Sequence, residues 1–172
     1  MRAGACTAAV LVALGFTGCA GEERAEDTIL PKTALTPPAP KANEATFESP
    51  ELRMTAFLES RGREGEVGSR TVDAERGRVV VVRLELANRG SVPIEASDFD
   101  VALRTSNGGE VRPTATNSDS SAVFDRRPVP GGGRVEAVAG FELPARAVPG
   151  AKLVISDPLR DLRFDLSLGL DG

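Results

Sequence analysis

Few side chains of this 172-residue chain could do covalent or metal chemistry. The sequence contains no His, the side chain that most often serves as a general base and often ligates metals. This absence excludes Ser-His-Asp and Cys-His catalytic sets and His-containing zinc sites. Only two Cys occur, Cys6 and Cys19. Candidate chemistry is therefore limited to these thiols and to carboxylates and hydroxyls.

Two groups of carboxylates have a spacing that could support chemistry. Asp98 and Asp100 flank Phe99, and strand alternation would place both carboxylates on one face. Such a pair could supply the acid and base of a glycosidase or bind Ca²⁺. Asp157 and Asp161 lie in a second acidic group, which lacks the interleaved ligands of an EF-hand loop. For Asp98 and Asp100 we predict a solvated face opposite a buried Phe99, and for neither group a catalytic residue, cofactor or resident metal; the four Asp remain weak cation-site candidates.

The N-terminal residues have the layout of a secretory signal. Arg2 precedes an apolar run, residues 3–16, and small residues lie around the end of that run. The run is shorter than the roughly 20 apolar residues that a transmembrane helix needs. The segment therefore predicts export of the chain rather than a stable membrane span.

Cys19 lies at the end of this signal. The stretch Phe16-Thr17-Gly18-Cys19 resembles the lipobox of bacterial lipoproteins, with Phe16 where that family usually has Leu. The resemblance implies cleavage between Gly18 and Cys19 and a diacylglyceryl group on the Cys19 thiol, the nucleophile that this chemistry requires. The alternatives are cleavage further along the chain and a Cys6–Cys19 disulfide in a retained N-terminus. We predict a signal peptide over residues 1–18 and an extracytoplasmic protein anchored to the bacterial membrane through lipidated Cys19.

A proline-rich segment follows the signal. Residues 20–50 contain five prolines, with Pro37-Pro38-Ala39-Pro40 at the centre, and show no apolar periodicity. This composition is typical of disordered chain with polyproline II character. We predict a disordered tether over residues 19–48; the alternative is a proline-rich ligand for another protein.

Period-two alternation of apolar residues starts near residue 49 and recurs to the C-terminus. It is strongest in residues 78–88, where Val80, Val82, Leu84 and Leu86 share one face. Asn107-Gly108 between two short alternating runs predicts a hairpin, and residues 61–70 have the composition of a loop. No amphipathic helical pattern exceeds two turns. These patterns predict an all-β, antiparallel sandwich over residues 49–172.

The order of these motifs also matches a known family pattern. RVVVVRLELANRG, EASDFDVALRTSNGGEVRP, VPGGGRVEAVAGFELP, KLVISDP and RFDLSL succeed one another along the chain. This succession resembles an immunoglobulin-like domain family of unknown function that occurs in bacterial lipoproteins and secreted antigens. The resemblance implies an immunoglobulin-like β-sandwich and no established catalytic residue.

Charge and motif content also restrict the class of function. The formal net charge is -4, and no basic patch stands out, so we expect no nucleic-acid partner. We predict that the protein is not an enzyme but a membrane-anchored binding module for a protein or envelope ligand. The alternatives are an accessory or sensor subunit of a membrane complex and, more remotely, a carboxylate-dependent hydrolase.

Overall fold

Antiparallel β-strands make up most of the folded part of the chain. A computed structural model describes residues 43–118 and 122–170. Within these residues no α-helix occurs, and two 3₁₀ helices span Ala96–Asp98 and Ala145–Ala147. The strands of the described residues are β1 (Glu44–Glu48), β2 (Leu52–Gly62), β3 (Glu64–Val67), β4 (Arg70–Asp73), β5 (Arg78–Asn88), β6 (Ile94–Glu95), β7 (Asp100–Arg104), β8 (Glu110–Val111), β9 (Ala115–Thr116), β10 (Pro128–Val129), β11 (Arg134–Leu143), β12 (Lys152–Asp157) and β13 (Leu162–Ser167).

Two of the sheets form the sandwich. The larger has the strand order β1-β2-β5-β11-β9, and the smaller has the order β13-β12-β7-β8. Two ribbons, β3–β4 and β6–β10, complete the strand pairing, and every pair is antiparallel. The predicted fold class, an all-β antiparallel sandwich, is confirmed.

The main core lies between the inner faces of the two sheets. The predicted face of β5 is fully buried, and it is matched across the core by Leu153 and Ile155 of β12. Each such aliphatic side chain contributes about 1.5–3 kcal/mol on burial. Because the sequence has no Trp or Tyr, the aromatic part of the core comes from Phe, with Phe99, Phe124 and Phe141 almost completely buried.

The sheet begins before the predicted domain boundary. Residues 44–48, assigned above to the tether, form β1, which pairs with β2 from Glu44↔Phe57 to Glu48↔Arg53. Phe47 of β1 stacks on Phe164 of β13, with ring centroids 4.1 Å apart. This contact joins the edge strands of the two sheets, so the apolar side chain of Phe47 explains why the sandwich includes this segment.

The glycine-rich segment predicted as a loop instead contains the β3–β4 hairpin. Val67 pairs with Arg70 across a two-residue turn in which Gly68 has φ +61°. The hairpin packs on the outer face of the larger sheet, where Val67 buries Val79 and Val81. That packing requires Gly140 of β11, because a Cβ there would lie 2.7 Å from a methyl group of Val67.

The predicted Asn-Gly hairpin is confirmed between β7 and β8. Leu103 pairs with Val111, and the turn is closed by the Thr105 amide donating to the Gly109 carbonyl at 2.8 Å. Gly108 supplies the positive φ of +85° that the turn needs. Among the described residues, no helix has the length and apolarity needed to span a bilayer.

Candidate functional site

The structure separates the two acidic residues that were predicted to share a strand face. Asp98 ends the 3₁₀ helix Ala96–Asp98, whereas Asp100 is the first residue of β7. The Phe99 amide donates to the Ala96 carbonyl at 3.2 Å, so the backbone turns between the two Asp. The prediction that they alternate along one strand is therefore wrong.

Asp157 is buried because it closes the turn between β12 and β13. Its Oδ1 accepts hydrogen bonds from the backbone amides of Leu159 at 2.9 Å and Arg160 at 3.2 Å. Its Oδ2 accepts a hydrogen bond from the Arg160 guanidinium. A fully buried carboxylate needs such partners, because an unpaired charge there would be strongly destabilising. Asp161 is exposed in the same turn, with φ 51°.

These acidic residues do not combine with others into a clear metal centre. In residues 43–118 and 122–170, no group of three or more Asp, Glu, Cys or His side chains is arranged to hold a metal ion. Cys19 and Gly18, the predicted acylation and cleavage positions, lie outside the described residues.

A different feature, the buried amide of Asn88, organises one end of the sandwich. Asn88 is the last residue of β5, and its side-chain Nδ2 donates to the carbonyls of Val92 at 2.7 Å and Val129 at 2.9 Å. Its Oδ1 accepts from the Gly90 amide at 3.0 Å. One side chain therefore ties the loop after β5 to the β6–β10 ribbon.

Backbone hydrogen bonds extend this arrangement to the turn between β1 and β2. The Arg89 amide donates to the Glu51 carbonyl at 2.8 Å, and the Gly90 amide donates to the same carbonyl at 3.2 Å. That turn is itself closed by Ser49, whose amide donates to the Leu52 carbonyl at 2.8 Å. We name this region the Asn88 end of the sandwich, where β2 and β13 begin and β5 ends.

An apolar cleft of about 540 Å³ opens at the Asn88 end. Its apolar walls come from four separate stretches of the chain: Pro50 and Leu52, Val92 to Ile94, Phe99, and Leu162. Val92 is 72% exposed on the cleft, which is unusual for an aliphatic side chain in this molecule. The cleft therefore presents apolar surface to solvent, in a volume typical of ligand sites.

Two charged side chains lie among the lining residues of the cleft. Glu51 is exposed, and Arg160 is half-exposed, with its guanidinium carbon 6.0 Å from the centroid of the Phe99 ring. Since Arg160 is paired with the buried Asp157, its charge is compensated locally. A guanidinium has five N–H donors, and within the described residues one of them is bound to the Asp157 carboxylate, so others could donate to a ligand. The cleft is thus suited to a neutral, apolar ligand with a hydrogen-bond acceptor.

The exposed face of the smaller sheet carries a charge network of a different kind. Arg104 bridges Asp165 at 2.8 Å and Glu110 at 3.3 Å, and Arg163 also binds Glu110. The hydrogen bond from Arg163 lowers the pKa of Glu110 below its ordinary value, despite an opposing effect of desolvation. Because the pKa of Glu110 is lower in the folded than in the unfolded chain, its carboxylate stabilises the fold at pH values above the unfolded-state pKa. This contribution is lost as the pH falls through the lower, folded-state pKa. The network is a solvent-exposed stabilising feature rather than a site.

Comparison with known proteins found similar solved structures but no family. No family model matches the chain, and no curated protein matches it. Among solved structures, it is similar to the yjhA protein of Bacillus subtilis, with 18% identity, a TM-score of 0.49, and coverage of 70% of this chain and 93% of that one. It is also similar to an uncharacterized β-sandwich protein of Clostridium difficile, with 11% identity, a TM-score of 0.46, and coverage of 70% and 87%.

A third similar structure is an ApaG protein from Pseudomonas aeruginosa, with 17% identity and a TM-score of 0.42, covering 64% of this chain and 99% of that one. The function of the chain therefore has to be inferred from its own residues.

Sequence reasoning found the turn at Asn88 but not the cleft beside it. The Asn-x-Gly ending of β5 was visible as a strand terminator, yet nothing in it indicated that the amide would be buried. The remaining lining residues are far apart in the sequence, so only the folded topology brings them together. Val92, which follows Gly90 and Ser91 and precedes Pro93 in the loop after β5, is the one local signal that could have indicated the site.

Replacing Asn88 tests whether its amide holds the Asn88 end together. Asn88→Ala leaves the carbonyls of Val92 and Val129, the second of them in a buried hydrogen bond, without their donor, so we expect a loss of about 2–3 kcal/mol in the free energy of unfolding. Urea denaturation measures it. The matched control is Asn107→Ala in the exposed β7–β8 turn, for which we expect less than about 1 kcal/mol. Equal losses in the two variants would contradict the assignment.

Proposed function

We propose that this protein is a lipid-anchored, extracytoplasmic binding module whose apolar cleft takes up an apolar segment of a partner protein. The observation that carries this proposal is the cleft of about 540 Å³ at the Asn88 end, lined by aliphatic and aromatic side chains and open to solvent. A concave, mainly apolar surface with a few polar groups at its rim is the usual form of a binding site.

The cleft is held in shape without a ligand. The Asn88 amide and the Glu51 carbonyl fix the loops on two of its sides through hydrogen bonds of 2.7 to 3.2 Å. A preformed cleft binds with little loss of conformational entropy, so contacts made by Val92 and its neighbours contribute directly to affinity. The free N–H groups of Arg160 would orient a backbone carbonyl of the partner.

The membrane anchor rests on the N-terminal sequence. The apolar signal segment is followed by small residues and then by Cys19, which is the order that lipid attachment requires. More than one acyl chain on Cys19 would give stable anchoring. The predicted tether from Cys19 to the start of β1 would span about 25–30 Å as a flexible coil. The sandwich would therefore remain near the membrane while its cleft stays accessible to partners.

The cleft can be tested with the neutral fluorescent compound N-phenyl-1-naphthylamine. Val92→Asn removes exposed apolar surface from the cleft, so we expect the affinity for this compound to fall roughly fivefold, equivalent to about 1 kcal/mol of apolar contact. The matched control is Leu159→Asn, since Leu159 is 79% exposed but does not line the cleft. An equal fall in both variants, or none in either, would show that the compound binds elsewhere.

The anchor can be tested by removing the acylated thiol. We expect Cys19→Ala to shift the protein from the membrane fraction to the soluble fraction of bacterial cells, because no diacylglyceryl group can attach without the thiol. Mass spectrometry of the wild-type mature protein should show an N-terminal acylated Cys19. Unchanged membrane association of Cys19→Ala, or an unmodified N-terminus, would overturn the anchor while leaving the test of the cleft intact.

A further inference from the structure

Two arginines form a second cleft, at the end of the sandwich opposite to Asn88. Arg61 lies near the end of β2, and Arg78 is the first residue of β5. Together with Ala145, Val148 and Pro149, they line a space of about 390 Å³. We name it the arginine cleft.

A register shift in β2 turns Arg61 toward this cleft. Pairing between β2 and β5 is regular as far as Leu58↔Val82 and resumes at Ser60↔Val81, with one extra residue between. Arg61 consequently pairs with Val80, a residue of the main core, and projects from the same face. Without the bulge, alternation would place Arg61 on the outer face.

Arg78 projects from the same face, two residues before Val80. Diagonal neighbours on adjacent antiparallel strands have Cα atoms about 7–8 Å apart, so the two guanidinium groups can reach one another. Both side chains are exposed, and within residues 43–118 and 122–170 neither takes part in an ion pair. Two adjacent positive charges without an acidic partner favour the binding of an anion between them.

The acidic residues on the neighbouring strand positions do not neutralise the pair. Glu59 is the extra residue of the bulge, and its carboxylate binds Arg83 at 2.9 Å. Glu142 pairs with Val79, so it projects from the outer face, where its Oε1 accepts from the Arg76 amide. The described residues that line the arginine cleft include no carboxylate.

We propose that Arg61 and Arg78 bind the phosphate of an anionic phospholipid headgroup. Guanidinium groups match phosphate oxygens in a bidentate geometry, and the exposed apolar side chains of Ala145 and Pro149 would contact the non-polar part of the lipid beside the phosphate. The choice of a lipid rests on the anchor of the proposed function, which keeps the domain within reach of a membrane. The direction of β1 agrees with it, because β1 runs toward the Asn88 end and its first residue, Glu44, therefore lies nearer to the arginine cleft than its last residue does.

Vesicle sedimentation tests this site with the chain from residue 19 carrying Cys19→Ala. We expect binding to vesicles of equal phosphatidylglycerol and phosphatidylcholine, and none to pure phosphatidylcholine. The double variant R61Q/R78Q should bind the anionic vesicles about 25-fold more weakly, since each basic side chain at such a surface strengthens binding about fivefold.

The matched control is R126Q/R127Q, which removes the same charge from two exposed arginines next to β10, on the ribbon tied to Asn88. We expect its binding to fall less than threefold; an equal loss in the two double variants would overturn the site.

Inorganic phosphate, titrated by calorimetry, distinguishes the source of the anion. Phosphate binding that R61Q/R78Q abolishes, without vesicle binding, would overturn the lipid assignment. Because the chain carries no acyl group, the result is independent of whether Cys19 is acylated.

Discussion

The side-chain amide of Asn88 is the interaction on which one whole end of this sandwich depends. It lies at the end of the central strand β5 and is 1% exposed. Its two N–H bonds fix the loop to Val92 and the β6–β10 ribbon, and the adjacent backbone fixes the β1–β2 turn through Glu51. Because these loops carry the apolar walls of the cleft, the same amide that satisfies buried backbone groups also shapes the surface proposed for binding.

The two ends of the sandwich differ in chemistry, and the proposed functions follow from that difference. The Asn88 end is mainly apolar: Arg160 is compensated by the buried carboxylate of Asp157, and the other charged side chain that lines the cleft is the exposed Glu51. The opposite end presents Arg61 and Arg78 without compensation by a described carboxylate. The two proposed sites lie at opposite ends of the strands, so the length of the strands would separate a bound partner protein from a bound lipid phosphate.

Alternation of apolar residues was sufficient to predict the long strands. Each of β2, β5, β11 and β13 buries one face, and apolar residues therefore occupy every second position along the strand. Shorter elements depend on tertiary contacts: β1 is fixed by the stacking of Phe47 on Phe164, and the β3–β4 hairpin by packing over Val79 and Val81. The cleft and the bulge that redirects Arg61 arise only when distant segments meet, so no local pattern could predict them.

Hydrogen exchange of the Asn88 side-chain amide, followed by NMR on the ¹⁵N-labelled chain from residue 19, tests the central claim most directly. If this amide is buried and donates to the Val92 and Val129 carbonyls, its protons should exchange with solvent at least about 100-fold more slowly than those of Asn107 in the exposed β7–β8 turn. Exchange of Asn88 as fast as that of Asn107 would show that the amide is open to water, and would contradict a preformed cleft at this end.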